Sequence, residues 1–384
     1  MELSTLELLP GKEASVKRGH PWVFSGALRA KPTQSGWARL LDHNGRFQAL
    51  GIAETGSIAF KIACFDEVAP EAHIERALIE SLRLRRGLGL WENPNTQMHR
   101  LVFAEGDALP GLVIDRYGDH LIVQLHSMAW YALRTALVEQ LTRITGIANI
   151  YFKTRESLHQ PELEEGYASG QGGAEVFLEN GLQFKVDWET GQKTGFFLDQ
   201  RESRALVGQR CAGARVLNIF SYTGGFSMYA LAGGATEVWS IDSSKKALVL
   251  ADENAALNGF AERHRSVAED AFAFLNNLPK GFDRIVLDPP AFAKNRHSTH
   301  NAAQAYRRIN RMAMEGIEPG GELFTFSCSQ HIDRALFESI VRAAAIDARR
   351  RVVVLGHHTQ PPDHPFDVQH PEGEYLKGLW VKVL

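Results

Sequence analysis

The chain has 384 residues, of which 44% are hydrophobic and 23% charged, and a formal net charge of −3. That length exceeds what one hydrophobic core usually holds, so two or three domains are expected, and the balance excludes fibrous, collagenous and wholly disordered chains. No apolar run is long enough for a membrane span, and no basic flank with an apolar segment follows Met1, so neither a membrane nor a secretory route is expected and the cytoplasm is the expected location.

Cys64, Cys211 and Cys328 are too few and too scattered for a disulfide scaffold or a zinc cage. The histidines form no His-Glu-x-x-His arrangement, and His357, His358 and His364 fall in a Pro-rich stretch read as a loop, so no metal is expected. Residues 1–70 are nearly neutral, 71–190 are acidic and 191–384 slightly basic, with no basic tail. A nucleic-acid partner would therefore need a local positive face.

In chain order, glycines cut the first seventy residues into short segments. Trp37–Leu41 and Phe47–Ala53 read as strands joined by a turn at Asp42-His43-Asn44-Gly45, which predicts a small β-barrel. After Pro70, Ile74, Ala77, Leu78, Ser81 and Leu82 recur at helical spacing. Strands are predicted at Leu112–Tyr117, His120–Leu125, Ile147–Lys153, Glu175–Glu179 and Leu182–Asp187, with a helix over Trp130–Leu141. This alternation predicts a central α+β domain.

Beyond residue 200, apolar strands at Arg215–Ile219, Glu237–Ile241, Arg284–Leu287, Leu323–Ser327 and Val352–Leu355 alternate with helices at Phe226–Ala232, Lys245–Leu257, Gln304–Glu315 and Asp333–Ala345. Buried strands bounded by helices predict a doubly wound α/β sheet, with a late antiparallel strand at Trp380–Leu384. The expected boundaries are 1–72, 73–190 and 191–384.

The run Val216 to Ser227 passes from a strand through a Gly-containing turn into a helix. Gly224 and Gly225 would let a ligand approach the backbone, and helix-start amides would meet an anionic group; a tight connecting turn is the plainer alternative. Asp242 ends the next strand, eighteen residues after Gly224, where an acid accepts from ribose hydroxyls or else caps the helix near Lys245. Asp270 is placed for a purine edge, or is a surface acid. The turn does not spell Gly-x-Gly-x-x-Gly, so a cofactor with one ribose and an amino-acid tail, S-adenosylmethionine, fits better than a dinucleotide.

Asp288-Pro289-Pro290-Ala291-Phe292 puts an acid and a stiff proline pair at a strand end, the pattern of a methyltransferase target site. Cys328 follows another strand, so the two can meet across neighbouring strands; a buried core cysteine is the alternative. A thiolate that adds to C6 of a pyrimidine makes C5 electron-rich, while an acid holds the base edge of a flipped or unpaired base. Exocyclic-amine methylation favours an aromatic directly after the prolines, where Ala291 stands, with Phe292 one place later. Cys64 and Cys211 have no such context. Lys294, Arg296, Arg307 and Arg308 are candidate phosphate contacts, or an ordinary charged face. Gly191–Arg201 reads as a polar and aromatic cluster at the domain entrance, or a hinge and clasp.

On Gly19-His20-Pro21-Trp22-Val23-Phe24, Gly191–Arg201, Asn218–Gly224, Asp288–Phe292 and Phe326-Ser327-Cys328-Ser329, the chain resembles the bacterial 23S ribosomal RNA large-subunit cytosine-5 methyltransferases over nearly its whole length. The resemblance implies an N-terminal PUA domain that contacts RNA, a central α+β domain and a Rossmann-like class I methyltransferase sheet. It implies S-adenosylmethionine as cofactor, large-subunit ribosomal RNA or an assembly intermediate as partner, and Cys328 as nucleophile with Asp288 beside it. The expected cofactor contacts are Gln200, Asn218, Phe220, Ser221, Tyr222, Thr223, Gly224, Asp242, Ser243, Asp270, Ala271 and Asp288. The expected substrate contacts are Pro289, Pro290, Phe292, Lys294, Arg296, Arg307 and Arg308. Guanine-nitrogen methylation by the same architecture and a non-catalytic RNA-binding assembly factor are the alternatives, and a homodimer stays open.

Overall fold

Short apolar segments separated by turn residues form a five-stranded N-terminal sheet in the computed structural model, which describes residues 3–293 and 296–384. Its elements are β1 (Ser4–Glu7), α1 (Glu13–Lys17), β2 (Trp22–Phe24), β3 (Gly36–Leu41), β4 (Phe47–Ala53) and β5 (Ile58–Cys64). The order is β1-β3-β4-β5-β2, with β1 parallel to β3 and the other pairs antiparallel. The expected barrel does not close. β1 and β2 have four and three residues, too few for a continuous ladder, and one isolated bridge, Leu8–Leu28, joins the chain beyond them.

Strand alternation gives this sheet two apolar faces. Leu40, Ala49 and Phe60 face its own core, while Trp37, Leu50 and Ile52 join a second core with α2 (Pro70–Gly87) and the next sheet. That sheet contains β6 (Met98–Phe103), β7 (Leu112–Tyr117), β8 (His120–Leu125), β9 (Asn149–Phe152) and β10 (Gly166–Ser169), in the order β10-β9-β8-β7-β6. The parallel pair β8–β9 is linked through α3 (Met128–Tyr131) and α4 (Arg134–Thr145), and α5 (Arg155–Leu158) follows β9. The single helix expected over Trp130–Leu141 is thus two. The Trp130 indole donates to the Pro110 carbonyl and anchors α3, while Leu137 and Leu141 bury α4 separately.

The chain divides into two compact units: Met1–Phe177, Val186–Leu198 and Pro362–Gly373, and Leu178–Lys185, Asp199–Pro361 and Glu374–Leu384. The first gathers its distant segments around buried charge. Arg85 binds Asp107 and the Asp363 carbonyl, Arg100 binds Asp115, and the Thr194 hydroxyl donates to Asp115 at 2.6 Å. The chain passes between units in the two-stranded sheet of β11 (Glu175–Glu179) and β12 (Leu182–Val186).

After α6 (Arg201–Gln209), the second unit forms a seven-stranded sheet from β13 (Arg215–Ile219), β14 (Glu237–Asp242), β15 (His264–Ala268), β16 (Arg284–Leu287), β17 (Glu322–Ser327), β18 (Val352–His358) and β19 (Lys377–Val383). The order is β15-β14-β13-β16-β17-β19-β18. The first five strands are parallel, and β19 runs antiparallel between β17 and β18. The connections carry α7 (Gly225–Ala232), α8 (Lys245–Leu257), α9 (Ala271–Asn276), α10 (Thr299–Gly316) and α11 (Arg334–Asp347). The doubly wound α/β sheet is as expected, because strands such as Val216–Ile219 are buried on both faces. His357 and His358 end β18 and are not loop residues. Among the described residues, no helix is long and apolar enough to cross a membrane.

Candidate active site at the carboxyl edge of the seven-stranded sheet

Five parallel strands end on one edge, and the strand order reverses between β13 and β16, the place where open α/β sheets bind ligands. The turn after β13 is strained. Phe220 and Tyr222 have φ of 61° and 47°, a left-handed backbone that costs a bulky residue about 1–2 kcal/mol. It is held by Ser221 N donating to the Ile241 carbonyl at 3.0 Å, Tyr222 N donating to Asp242 Oδ2 at 2.9 Å, and Asn254 donating to the Thr223 carbonyl at 2.9 Å. Gly224 is required by its φ of 78° and by the Ala251 side chain, which an added Cβ would meet at 3.1 Å. The glycine therefore serves the turn and helix packing.

Beneath the turn, Asn218 donates to Ser227, Ser227 meets Ser240, and Ser240 meets His264, a buried polar line across three strands. Burial holds His264 below the ordinary imidazole value. The Ser221 hydroxyl and Asn218 Oδ1 are buried without a partner among the described residues. Buried polar atoms of this kind need a partner, and a polar ligand at this edge would supply one.

Asp242 accepts from Tyr222 N through one oxygen and from Ser244 N, at 2.8 Å, through the other. The cap of α8 is Ser244, and Asp242 instead ties the strained turn to the next strand, with lone pairs left over. Ser243 is exposed. Asp270 accepts from Phe272 N and Ala273 N, each at 3.0 Å, and so caps α9, whose first residue, Ala271, is buried.

Asp288 follows β16, and its Oδ1 accepts from Gln200 Nε2 at 3.0 Å; Gln200 Oε1 is buried without a partner among the described residues. Pro289 is buried and Pro290 exposed. Phe292 packs against Tyr306, with ring centroids 4.7 Å apart, and more loosely against Phe220 and Phe272. Cys328 follows the neighbouring β17 and is partly exposed. Cys64 and Cys211 are buried, which raises both thiols and pushes Cys211 up to about 12.

The basic residues are less uniform. Arg307 makes a bidentate pair with Asp347 at 2.6 and 2.7 Å, and the Arg308 guanidinium lies over the Phe272 ring at 5.2 Å. Lys294 and the Arg296 side chain lie outside the described residues. The Gly191–Arg201 motif crosses from one unit to the other after Leu198. In it Lys193 lies over the Phe197 ring at 4.6 Å, and Asp199 accepts from the Tyr375 hydroxyl at 2.5 Å.

Sequence reasoning missed Lys377. It opens β19, which the pattern alone starts at Trp380, and its ammonium lies buried beside the Cys328–Ser329 segment. The available signal was a lysine directly preceding the apolar strand Gly378–Val381.

Residues 128–374 match the model of an S-adenosylmethionine-dependent methyltransferase family, and residues 6–65 match a PUA-like domain. A Tolumonas auensis protein named ribosomal RNA large subunit methyltransferase I is 38% identical over 99% of this chain and 100% of its own length. A Klebsiella pneumoniae protein of the same name is 36% identical over 99% and 98%. The fold also matches a Streptococcus mutans chain assigned as an SAM-dependent methyltransferase, with TM-score 0.87, 22% identity and coverage of 99% and 100%. A methyltransferase-like chain complexed with SAH matches with TM-score 0.86, 23% identity and full coverage of both. The strand order, the edge geometry and these likenesses agree: the chain belongs to the S-adenosylmethionine-dependent methyltransferase family, among relatives named ribosomal RNA large subunit methyltransferase I, and carries a PUA-like domain in its N-terminal part.

Proposed function

We propose that this protein methylates C5 of a cytosine in large-subunit ribosomal RNA through a transient covalent bond to Cys328. The observation that carries the reading is that Asp288 and the partly exposed Cys328 follow neighbouring parallel strands on the carboxyl edge, beside the switch point. The relatives' names support the RNA class. In this reading residues 1–72 are a PUA-like RNA-binding module, 73–190 a central domain and 191–384 the catalytic domain.

The cofactor would rest against Phe220–Gly224, with Asp242 toward the ribose and Ala271 and the free oxygen of Asp270 toward the purine. Ser221, Asn218 and Gln200 have polar capacity to spare there. Bound there, S-adenosylmethionine supplies an electrophilic methyl group. Cys328 adds as a thiolate to C6 of the cytosine, and the electron pair gathers at C5. Asp288, steadied by Gln200, holds the N3/N4 edge of the base as charge develops. Once C5 carries the methyl group, loss of its proton restores the double bond and expels the Cys328 sulfur. Pro289 and Pro290 keep Asp288 from drifting, and Phe292 backs the loop through Tyr306. Arg308 and the segment at Lys294 and Arg296 would meet phosphate; Arg307 would first have to leave Asp347.

The test is methylation of large-subunit RNA, free and in assembly intermediates, with labelled cofactor and mass mapping of the product nucleoside. 5-Methylcytosine is expected. N-methylguanine as sole product would transfer the site to amine methylation, and no transfer to any RNA form would leave an RNA-binding assembly factor.

A further inference from the structure

Lys377 is 3% exposed, and its Nζ donates to the main-chain carbonyls of Ser329 at 2.7 Å and Tyr375 at 2.6 Å. The first carbonyl belongs to the residue after Cys328, so the charge is fixed at the main chain that follows that thiol. Burying a cation is costly unless negative charge is near.

Among the described residues, the charged groups with most influence on Lys377 are Cys328, Glu374, Arg334 and Asp333. Glu374 is paired with Arg334, and Asp333 caps α11 through Leu336 N, so neither carboxylate is devoted to the lysine. From α10, Tyr306 senses Cys328 as well, and its hydroxyl meets Ser329 Oγ at 3.1 Å. Burial raises that phenol, so it stays neutral. Burial also draws Lys377 down to about 8, and a negative Cys328 is the foremost influence opposing that fall.

We propose that Lys377 is a positioning residue for Cys328: its buried ammonium is the counter-charge that holds the sulfur as a thiolate, ready to attack the pyrimidine. Ionisation sends the thiol proton to solvent and leaves the negative charge on Sγ. This role rests on the reading of Cys328 as nucleophile.

The test is alkylation of the full-length protein with iodoacetamide across pH, following the Cys328 peptide by mass spectrometry with buried Cys64 and Cys211 as internal references. In the native protein the Cys328 midpoint should lie below the ordinary thiol value of about 8.5. In Lys377→Met and Lys377→Gln it should rise by about one unit or more, with about tenfold slower labelling at pH 7. Methyl transfer in these variants should lose kcat, keep KM for RNA, and recover as pH is raised towards about 9. An unmoved midpoint in a variant that still melts cooperatively overturns the role. A native midpoint at or above about 8.5 overturns it even where the variants do not fold. A Cys328→Ala protein with full transfer overturns the nucleophile reading instead, whatever the labelling shows.

Discussion

Arg85 in the first unit and Lys377 in the second are both buried cations, but their partners differ. Arg85 meets Asp107 through two parallel contacts at 2.5 and 2.8 Å, a closed pair with its charge cancelled. Lys377 meets two carbonyls, which satisfy hydrogen bonds without cancelling charge. The first arrangement suits a joint, since it ties α2 to the segment after β6 and, through Asp363, to residues more than 250 positions away. The second keeps a positive field available to a neighbouring group. A buried charge thus marks structure or chemistry according to whether its countercharge is already present.

The largest effect is expected at the sulfurs. Cys328→Ala should lose methyl transfer by about 10³-fold or more, since the covalent route disappears. Cys211→Ala should keep activity within about threefold, because a buried thiol pushed up to about 12 stays protonated. Radiolabelled methyl incorporation into RNA checks both.

At the joint, Arg85→Met leaves Asp107 buried and unpaired, and should cost the first unit about 3–5 kcal/mol by denaturant unfolding. Adding Asp107→Leu should restore much of the loss, since it removes the uncompensated charge. Failure of that rescue would show that the pair does more than cancel itself.

A smaller effect is expected at the strained turn. Tyr222→Gly relieves a φ of 47° and should raise stability by up to about 1 kcal/mol, while weakening S-adenosylmethionine binding by calorimetry. The smallest is a pH effect at His73, whose Nε2 donates to the Ala108 carbonyl at 2.8 Å. Burial holds His73 below the ordinary imidazole value. The unfolded chain therefore takes up the proton first, and stability is lost as pH falls below about 6.5. His73→Gln should flatten the fall in melting temperature between about pH 7.5 and 5.5.

Much of the second unit was legible along the chain. Arg215–Ile219 and Arg284–Leu287 are short, largely apolar runs bounded by helices, and both are strands at those limits. Asp288-Pro289-Pro290 and Cys328 stand at strand ends, where a reacting group would have to be. The first sheet was less legible, because three- and four-residue edge strands carry too little alternation to register, and its openness depends on pairing. Arg307 read as a phosphate contact because its spacing shows a charged helix face; only the fold brings Asp347 to it.

Local order in this protein follows from side-chain periodicity, which records whether a residue is buried whatever buries it. That is enough for the α/β class, the Gly-containing turn after Ile219 and the placing of the acid before two prolines at a strand end. Partnership is another matter. The insertion of β19 between β17 and β18, the delivery of Lys377 to the Ser329 carbonyl, and the gathering of Thr194 and Asp363 around Asp115 and Arg100 join residues far apart in the chain. Tertiary packing alone decided those contacts, because their energy exists only once both segments have been taken out of water together.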